Sequence, residues 1–576
     1  MVRTMTNAEI AGSIGLLADL LEIQGESAFR VGAYRRAVEA IENLSEPLLT
    51  IRERGELEAI PGVGHAIAAK IAELLDTGAM RRLTEVEVEI PPGVAELLAV
   101  PGIGPKRARR LHAELGIDGL DALRGALDDG RAEKVLGSGE VKRIKRSVEG
   151  LPGAKDDDRL PLGEARRLGL DLIAQLRDAV PGIERIELAG SVRRVRETVG
   201  DLDLVAAAAE PEAIVAAFVA LKNVARIESR GPTRCRVILT NGFATDLWVL
   251  PPQHWGALLF HVTGDKYHDI RIRDLAISRG GRLSEYGYTE RDHVTAFATE
   301  EEVYAHFGMQ VIPPPMRSGG DEIDLALKGK LPRVLTLKDL KGDLHCHTAW
   351  SDGHATVREM ALAARERGHE YLAITDHSRG LAIANGLTPE RLREQRQEID
   401  AVNEELAPFR VLQGIELEVK ADGSLDLPDD VLAELDIVVA ALHSSLGQER
   451  ERLAERALMA IRHPLVDILA HPTGRIVGGR SGGDFDMDRL YAEAAATGTI
   501  LEIDGDPGRM DLRDTHARSA IAAGCTLSVD SDAHAPEGLD NQRFGVGIAQ
   551  RAWVTPDRVI NSLPLNELLG LLKRNR

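Results

Sequence analysis

The stretch Asp343-Leu-His345-Cys-His347-Thr-Ala-Trp-Ser-Asp352-Gly353 decides the fold of the last part of the chain. Side chains alternate between the two faces of a strand, so His345 and His347 share one face and Asp352 follows just beyond it. Short apolar runs continue downstream between helical segments, and the strand candidates are residues 371–375, 411–415, 437–442, 466–470, 500–503 and 526–529. This alternation of strand and helix predicts a parallel α/β sheet or barrel.

Residue types that bind metals follow most of these strand candidates. They are His377, Glu416, His443, His471, Asp532 and His534. Because active sites of α/β barrels lie at the carboxyl ends of the strands, these side chains are expected to meet at one rim. Cys346 alternates to the opposite face from its two histidine neighbours, which predicts that it takes no part. The histidines that fit no strand end are expected to be structural or surface residues: His354, His369, His463 and His516.

This part of the chain resembles the PHP domain (polymerase and histidinol phosphatase), which implies a distorted seven-fold barrel with three divalent metals. The ligands implied by the resemblance are His345, His347, Asp352, His377, Glu416, His443, His471, Asp532 and His534. Glu416 would bridge a metal held by His345, His347 and Asp532 and a metal held by His443 and His471, with Asp352, His377 and His534 on the third. Mixed nitrogen and oxygen ligation suits Mn²⁺, Zn²⁺ or Fe²⁺ better than Mg²⁺ alone, and the choice among the three stays open. The complete set predicts an active phosphoesterase that attacks a phosphodiester with metal-activated water.

A second constellation lies upstream, in Gly190-Ser191-Val-Arg193-Arg194 and Gly200-Asp201-Leu-Asp203. The Gly-Ser turn offers backbone N–H and hydroxyl groups to a phosphate beside Arg194. Asp201 and Asp203 are two residues apart on a predicted strand and therefore point to the same face. Paired carboxylates of this kind bind Mg²⁺, and Asp246 on another predicted strand would complete a two-metal site.

These motifs resemble those of family X DNA polymerases, the group related to DNA polymerase beta. The resemblance implies a nucleotidyltransferase core in which Mg²⁺ or Mn²⁺ is held by the catalytic residues Asp201, Asp203 and Asp246. The residues that it implies for the incoming nucleotide are Gly190, Ser191, Arg194, Gly200, Thr263, Gly264 and Arg273. The chain departs from the family pattern at Val199, Trp248, His261, Asp265 and Asp269, which leaves the efficiency of the polymerase and its sugar discrimination open.

A glycine hairpin occurs twice in the helical first part, as Ile60-Pro-Gly62-Val-Gly64 and as Val100-Pro-Gly102-Ile-Gly104. Glycines at such turns leave N–H groups unobstructed at a helix amino terminus, where they can hold a phosphate, and Lys106 and Arg107 follow the second copy. These elements resemble the helix-hairpin-helix motifs that grip the DNA backbone in repair proteins. Lys70, after the first hairpin, occupies the position of a lysine that forms a Schiff base with 5′-deoxyribose phosphate in the family. An ordinary phosphate-contacting lysine is the equal alternative.

Changes in composition divide the chain into six segments. They are a helical domain with a hairpin (1–85), a second helix-hairpin-helix domain (86–150), a palm domain (151–250), a nucleotide-binding subdomain (251–317), a linker (318–341) and the PHP domain (342–576). The expected fold is thus multidomain: an all-α amino-terminal part, an α+β polymerase-beta-like core and a carboxy-terminal α/β barrel.

Composition sets the remaining expectations. With 576 residues and three cysteines, the chain is too long for a disulfide-stapled scaffold, and its apolar runs are far shorter than the roughly 18 residues that span a membrane. A cytoplasmic, nucleoid-associated monomer without a membrane partner is expected. The net charge of −20 excludes a uniformly basic DNA coat protein but allows local contacts with DNA.

The order of the segments matches bacterial family X polymerases with a PHP domain. The implied function is DNA repair: filling short gaps in gapped or nicked double-stranded DNA with deoxynucleoside triphosphates, and 3′→5′ degradation by the PHP domain. Abasic-site endonuclease, 3′-phosphatase and lyase activities are further expectations. The main alternative is an enzyme that is chiefly a nuclease, with a weak polymerase core serving as a DNA clamp. A scaffold without turnover and a small-molecule phosphatase explain less of the chain.

Overall fold

The computed structural model describes residues 7–42, 44, 48–60, 62–90, 94, 97, 100, 103–136, 141, 144, 159–291 and 293–575. The chain forms two compact units, Met1–Asp157 and Asp158–Arg576. None of the helices in the described ranges combines the length and the apolar character that a membrane span requires.

The described part of the first unit is helical. Its helices are α1 (Asn7–Gln24), α2 (Ala28–Glu42), α3 (Leu48–Glu53), α4 (His65–Thr77), α5 (Arg81–Glu89), α6 (Pro105–Leu115), α7 (Leu120–Asp128) and α8 (Glu133–Leu136). Apolar side chains three and four residues apart face inward, and Ile10, Ile14 and Leu17 of α1 are fully buried. One cluster of buried side chains extends from Ile10 to Ile144, so the segments predicted as two separate domains share a single core.

The second unit begins with a mixed five-stranded sheet. Its elements are β1 (Leu160–Pro161), α9 (Leu162–Ala179), β2 (Arg185–Leu188), α10 (Gly190–Arg193), β3 (Thr198–Val199), β4 (Leu202–Ala207), α11 (Pro211–Val219), β5 (Val224–Arg230), β6 (Arg234–Leu239) and β7 (Ala244–Leu250). The sheet order is β2-β4-β7-β6-β5, with β1 and β3 in a separate pair. The β4–β7 pair is parallel and places Asp203 beside Asp246 in register.

A smaller lobe follows the palm sheet. It contains α12 (Trp255–Thr263), α13 (Lys266–Ser278), β8 (Arg282–Ser284), β9 (Gly287–Glu290), β10 (His293–Thr295), α14 (Glu300–His306) and α15 (Asp321–Leu327). Helix α15 lies in the segment predicted as a linker, yet its Ile323 and Ala326 are buried in one cluster with Phe260 and Tyr304. Residues 318–341 are therefore a packed part of the unit, which corrects the linker prediction.

The last part of the second unit is a seven-stranded parallel sheet in the sequential order β11 to β17. Its elements are β11 (Gly342–Asp343), α16 (Val357–Glu366), β12 (Tyr371–Ile374), α17 (Pro389–Leu406), β13 (Arg410–Glu418), α18 (Asp429–Leu432), β14 (Ile437–Ala441), α19 (Arg450–Arg462), β15 (Ile468–Leu469), α20 (Met487–Thr497), β16 (Ile500–Asp504), α21 (Asp514–Ala522), β17 (Leu527–Asp530), α22 (Gln542–Arg551) and α23 (Leu565–Leu571). The strands are apolar runs buried on both faces, as expected for parallel strands covered by helices.

The two ends of this sheet meet. Cys346 and Ala533 form a parallel bridge, and the His347 N–H donates to the Ala533 carbonyl at 2.8 Å. The sheet is thus a nearly closed barrel, which confirms the predicted α/β barrel and its six downstream strands. Short 3₁₀ helices complete the description: Leu57–Ala59, Pro252–His254, Pro314–Met316, Leu337–Asp339, Ala382–Ala384, Pro536–Asn541, Pro556–Arg558, Ile560–Ser562 and Lys573–Asn575.

Candidate active sites

The barrel brings all nine predicted metal ligands together at the carboxyl ends of its strands. The groups whose ligand atoms lie within 4.8 Å of one another are His347/Asp352/His377/His534, His345/His347/Asp532, His345/Glu416/His471 and His377/Glu416/His443. The second group matches the predicted first metal. Two other groups differ from the predicted sets. His377 and His443 lie together with Glu416, and His345 lies with Glu416 and His471.

Glu416, on β13, is the buried centre of this cluster. Its Oε1 lies 2.8 Å from His471 Nε2 and 3.0 Å from His443 Nε2, whereas Oε2 lies 2.7 Å from His377 Nδ1. His345 Nε2 and His347 Nε2 approach Oε2 at 3.5 and 3.6 Å. One carboxylate therefore faces five imidazoles, with its two oxygens directed at different histidines.

The donor atoms fit divalent cations. Among the described residues, the buried side-chain atoms without a hydrogen-bond partner include His345 Nε2, both ring nitrogens of His347, His377 Nδ1, His443 Nε2 and Glu416 Oε2. Buried polar atoms are otherwise nearly always paired, so the convergence of these donors at one point fits a site for divalent cations. Metal ions would satisfy these nitrogen and carboxylate donors.

Two further carboxylates orient the imidazoles. His345 Nδ1 lies 2.7 Å from Glu502 Oε1, and His443 Nδ1 lies 2.7 Å from Glu418 Oε2. A hydrogen bond at Nδ1 leaves the Nε2 lone pair for a metal and fixes the ring. Sequence reasoning missed both residues, although Glu418 follows Glu416 by two positions on the same strand and therefore had a recognisable signal.

Electrostatics favour ligation at neutral pH. Burial and the neighbouring His377 lower the pKa of His347 to about 4, and burial together with Arg509 lowers the pKa of His471 to about 3. Both rings are therefore neutral at pH 7, the form that binds metals. Burial alone would lower the pKa of His377, but Glu416 and Asp352 outweigh it and raise that pKa to about 10.

Arg509 is a third residue near this cluster that the sequence did not reveal. It follows β16 in an Asp-Pro-Gly-Arg turn, and its Nε lies 3.4 Å from Asp532 Oδ2 and 3.7 Å from Asp504 Oδ2. With Glu416 and His443 it lines a cavity of about 290 Å³. A fixed cation beside the predicted metals suits a phosphate group entering this cavity.

The second constellation lies on the palm sheet. Asp203 and Asp246 are direct neighbours on the parallel strands β4 and β7, and Asp201 immediately precedes β4. Burial, with Asp201 and Asp246 nearby, raises the pKa of Asp203 to about 7. Three carboxylates clustered in this way are a donor set that divalent cations fit.

Arg236 on β6 balances this charge. Its guanidinium contacts Asp246 closely and lies 3.2 Å from Asp201 Oδ2, and Arg234 Nη2 lies 3.2 Å from Asp246 Oδ1. Neither arginine was predicted at the site. Only the register of the sheet could have indicated them, because it places Arg236 opposite Asp246 across the antiparallel β6–β7 pair.

The predicted nucleotide-binding residues lie on two adjoining turns. Gly190 and Ser191 begin α10, and Gly190 has a φ of 54°. A Cβ on Gly190 would lie 1.9 Å from Asp203 Oδ2, so only glycine fits there. The Arg194 guanidinium donates to the Thr263 carbonyl, and Arg193 Nη1 donates to Thr263 Oγ1 at 2.7 Å. The structure therefore places the Ser191–Arg194 turn beside the end of α12.

The remaining nucleotide-site predictions lie around α13. Gly264 ends α12 with a φ of 64°, and Asp265 caps α13 by accepting from the Tyr267 N–H at 2.9 Å. Burial raises the pKa of Asp269 to about 7, even though Arg273, Arg317 and Arg194 oppose this rise. Arg273 Nη2 contacts His261 Nδ1 at 3.0 Å. A Cβ on Gly200 would lie 2.9 Å from Arg159 Nη1.

In the first unit, Lys70 lies in a cavity of about 280 Å³ that Arg30, Tyr34, Arg81 and Arg82 also line. Its Nζ donates to the Ala66 carbonyl at 3.0 Å and lies 5.8 Å from the centre of the Tyr34 ring. Glu73 and Glu85 line the same cavity, so its four basic side chains outnumber its carboxylates by two, a surplus that suits a phosphate-bearing ligand.

The glycine hairpins precede helices as predicted. Gly62 has a φ of 84°, Gly64 caps α4, and Gly104 caps α6. Gly102 lies outside the described residues. The Lys106 side chain is 81% exposed and its Nζ lies 3.9 Å from Glu22 Oε1, while Arg107 lies on the same turn of α6.

Comparison with known proteins matches four family models. Residues 5–80 match a helix-hairpin-helix domain, residues 86–114 a helix-hairpin-helix motif, residues 258–318 the DNA polymerase beta thumb and residues 343–497 the PHP domain. A protein of Bacillus subtilis (strain 168) named DNA polymerase/3′-5′ exonuclease PolX is 37% identical over 99% of this chain and 100% of its own length. Two proteins named probable phosphatase match the barrel part. That of Thermoanaerobacter sp. (strain X514) is 28% identical over 38% of this chain and 89% of its own length, and that of Edwardsiella ictaluri (strain 93-146) is 30% identical over 41% and 95%.

Proposed function

Because the chain belongs to the family X DNA polymerases that carry a PHP domain, we propose that it fills short gaps in DNA and trims 3′ ends in repair. The observation that carries this proposal is the presence of two separate donor sets in one unit, the palm carboxylates and the histidine-rich barrel cluster. Gapped or nicked DNA and deoxynucleoside triphosphates are the proposed substrates, and the cytoplasm is the proposed location.

For nucleotidyl transfer, Asp201, Asp203 and Asp246 would hold Mg²⁺ or Mn²⁺. Such ions lower the pKa of a primer 3′-hydroxyl and stabilise the pyrophosphate that leaves. Ser191 and the backbone of α10 would bind the triphosphate, with Arg194 neutralising its charge. Asp246, which Arg236 and Arg234 contact, would be the ligand on the primer side.

For 3′→5′ degradation, the nine barrel ligands would hold Mn²⁺, Zn²⁺ or Fe²⁺, which supply an activated water and neutralise charge on the phosphodiester. Glu502 and Glu418 keep His345 and His443 oriented, and Arg509 offers a cation to the non-reacting phosphate oxygens. Abasic-site endonuclease and 3′-phosphatase reactions hydrolyse the same kind of bond and belong to this proposal. The probable phosphatases that match this part support it.

A lyase reaction is proposed for Lys70. Its amine would condense with the C1′ aldehyde of a 5′-deoxyribose phosphate and release water. Loss of a C2′ proton to solvent would then break the C3′–O3′ bond and release the DNA strand, whose new 5′ phosphate would lie near Arg30 and Arg81, and hydrolysis of the imine would free the amine. Borohydride reduction should trap a covalent adduct with abasic DNA. Lys70→Ala should abolish the adduct while Lys134→Ala, elsewhere in the same unit, keeps it. An adduct that persists in Lys70→Ala removes the proposal.

The second candidate is an enzyme that is chiefly a nuclease. Asp265 and Asp269 both act on Arg194, and two added carboxylates near a triphosphate weaken its binding. In this case, the palm would hold DNA while the barrel degrades it.

One experiment tests both candidates. A labelled gapped duplex with nucleotides and Mg²⁺ or Mn²⁺ is given to the unmodified protein, to Asp201→Ala/Asp203→Ala and to His345→Ala/His347→Ala. Extension lost only in the first variant and degradation lost only in the second support two independent sites. Exposed residues supply the controls, Asp429→Ala/Asp430→Ala and His354→Ala. Degradation without extension favours the second candidate, and neither activity with any metal overturns both.

A further inference from the structure

The helix α22 of the barrel part touches the turn that carries Arg194. Arg551, the last residue of α22, is only 9% exposed, and its Nη1 donates to the Val195 carbonyl at 2.7 Å and to the Arg194 carbonyl at 3.3 Å. A side chain 356 positions downstream therefore holds the backbone of this turn. We call Arg551, together with its hydrogen bonds to Arg194 and Val195, the brace.

Arg551 is itself fixed by its neighbours. Its Nε donates to Asp514 Oδ2 at 2.7 Å, and its own carbonyl accepts from Arg518 Nη2 at 2.9 Å. Burial opposes ionisation of Asp514, but Arg551 and Arg513 outweigh it and lower the pKa of Asp514. The guanidinium is thus held between a carboxylate of the barrel part and two carbonyls of the palm turn.

The turn needs such support because of its conformation. Val195 has a φ of 54°, a left-handed backbone that a β-branched residue adopts only when its surroundings impose it. Gly547, one turn before Arg551 on α22, packs against it: a Cβ there would lie 2.7 Å from Cβ, Cγ1 and Cγ2 of Val195. Removing Arg551 would leave two carbonyls and a strained residue without their restraint.

A second contact holds the other end of the turn. Arg475, 8% exposed and located after β15, donates from Nη1 and Nη2 to the two carboxylate oxygens of Glu197 at 2.9 and 2.6 Å. Glu197 follows Arg194 by three residues. Barrel arginines therefore secure the turn on both sides of Val195, with bidentate geometry at one of them.

We propose that Arg551 is a positioning residue of the polymerase reaction, which fixes the Arg194 turn so that its guanidinium meets the triphosphate of the incoming nucleotide. The barrel part is then a structural component of the nucleotide site as well as a hydrolase. This inference rests on the proposed role of Arg194. Among the described residues, the hydrogen bonds of Arg551 reach none of the predicted metal ligands, so the brace acts on one reaction only.

The test is single-nucleotide gap filling by full-length Arg551→Ala, with KM for the nucleotide and kcat measured separately. KM should rise roughly tenfold because a charge-assisted contact is lost, and kcat should change by less than about threefold. The 3′→5′ degradation of a single strand should stay unchanged, and Arg551→Lys should recover part of the affinity. Arg558→Ala, which removes an arginine bond to the Cys525 carbonyl within the barrel part, is the matched control.

A second variant perturbs the same turn by addition. Gly547→Ala suits a helix on propensity but pushes its Cβ against Val195, so it should raise KM in the same direction without removing a charge. A KM within twofold of the unmodified protein in Arg551→Ala, or in Gly547→Ala if the former does not fold, overturns the proposal. Arg194→Ala tests the triphosphate site separately from the brace. If Arg194→Ala leaves KM unchanged, the assignment of the triphosphate site fails. If Arg194→Ala raises KM and the other two variants do not, only the brace fails.

Discussion

The barrel cluster and the palm site solve the same problem of holding divalent cations in opposite ways. In the barrel, five imidazoles surround one buried carboxylate, and Glu502 and Glu418 orient two of them, His345 and His443. In the palm, three carboxylates of two neighbouring strands repel one another, and Arg236 offsets their charge. The barrel is therefore organised before metal arrives, whereas the palm site needs the cation to complete it. Resident metals therefore suit the barrel cluster, and exchangeable metals brought with the nucleotide suit the palm site.

The largest expected effect comes from breaking the centre of the barrel cluster. Glu416→Gln keeps the shape but removes the charge that five imidazoles face, and the loss of metal ions should slow 3′→5′ degradation roughly a thousandfold. Gap filling should change by less than about twofold. Both rates are measured on one labelled gapped duplex. Glu405→Gln, an exposed glutamate of the barrel part, is the control, and equal loss of both activities would contradict the separation of the sites.

A smaller effect is expected from the residues that orient the imidazoles. Glu418→Gln leaves every metal ligand in place but weakens the hold on His443 Nδ1, so the barrel should bind metal roughly 10- to 100-fold less tightly. Isothermal titration calorimetry of metal-depleted protein with Mn²⁺ measures this affinity directly. Preorganisation of the barrel would be disproved by an unchanged affinity in a folded variant.

The smallest effect concerns the palm side of the comparison. The pKa of Asp269 is raised to about 7, so its carboxyl is mostly neutral at pH 6 and mostly ionised at pH 8. Because ionised Asp269 repels a triphosphate near Arg194, KM for the nucleotide should rise roughly fivefold between these pH values. Steady-state gap filling across this range gives the profile. Asp269→Asn should flatten it, and a profile with the same slope in that variant would assign the dependence to another group.

The sequence could predict the barrel ligands because two local signals suffice: the alternation of side chains along a strand, and the position of a ligand relative to an apolar run. Alternation in the segment that follows β11 puts His345 and His347 on one face, and most later ligands lie at the end of an apolar run or just beyond it. Which ligands share a metal could not be predicted, since that depends on distances between strands. The palm carboxylates were equally predictable, because Asp201, Asp203 and Asp246 lie within short, strongly patterned segments.

The residues that sequence missed depend on contacts between distant segments. Arg236 reaches the carboxylates only through the β6–β7 register, and Arg551 meets Val195 across most of the second unit. The packed segment 318–341 was hidden for another reason. A few apolar residues, among them Ile323 and Leu335, are enough to bury it, although its overall composition is polar and glycine-rich.

The bridge between Cys346 and Ala533 has a consequence for biosynthesis. Because it joins the first and last strands of the barrel, the side chains around it come from opposite ends of the domain, and the Leu344 N–H bonds the Asp530 carboxylate 186 positions away. A ribosome delivers the palm and its carboxylates long before Asp532 and His534. Because Arg551 and one shared hydrophobic core also tie the palm to the barrel part, the nascent chain completes both proposed sites only when the barrel itself is finished.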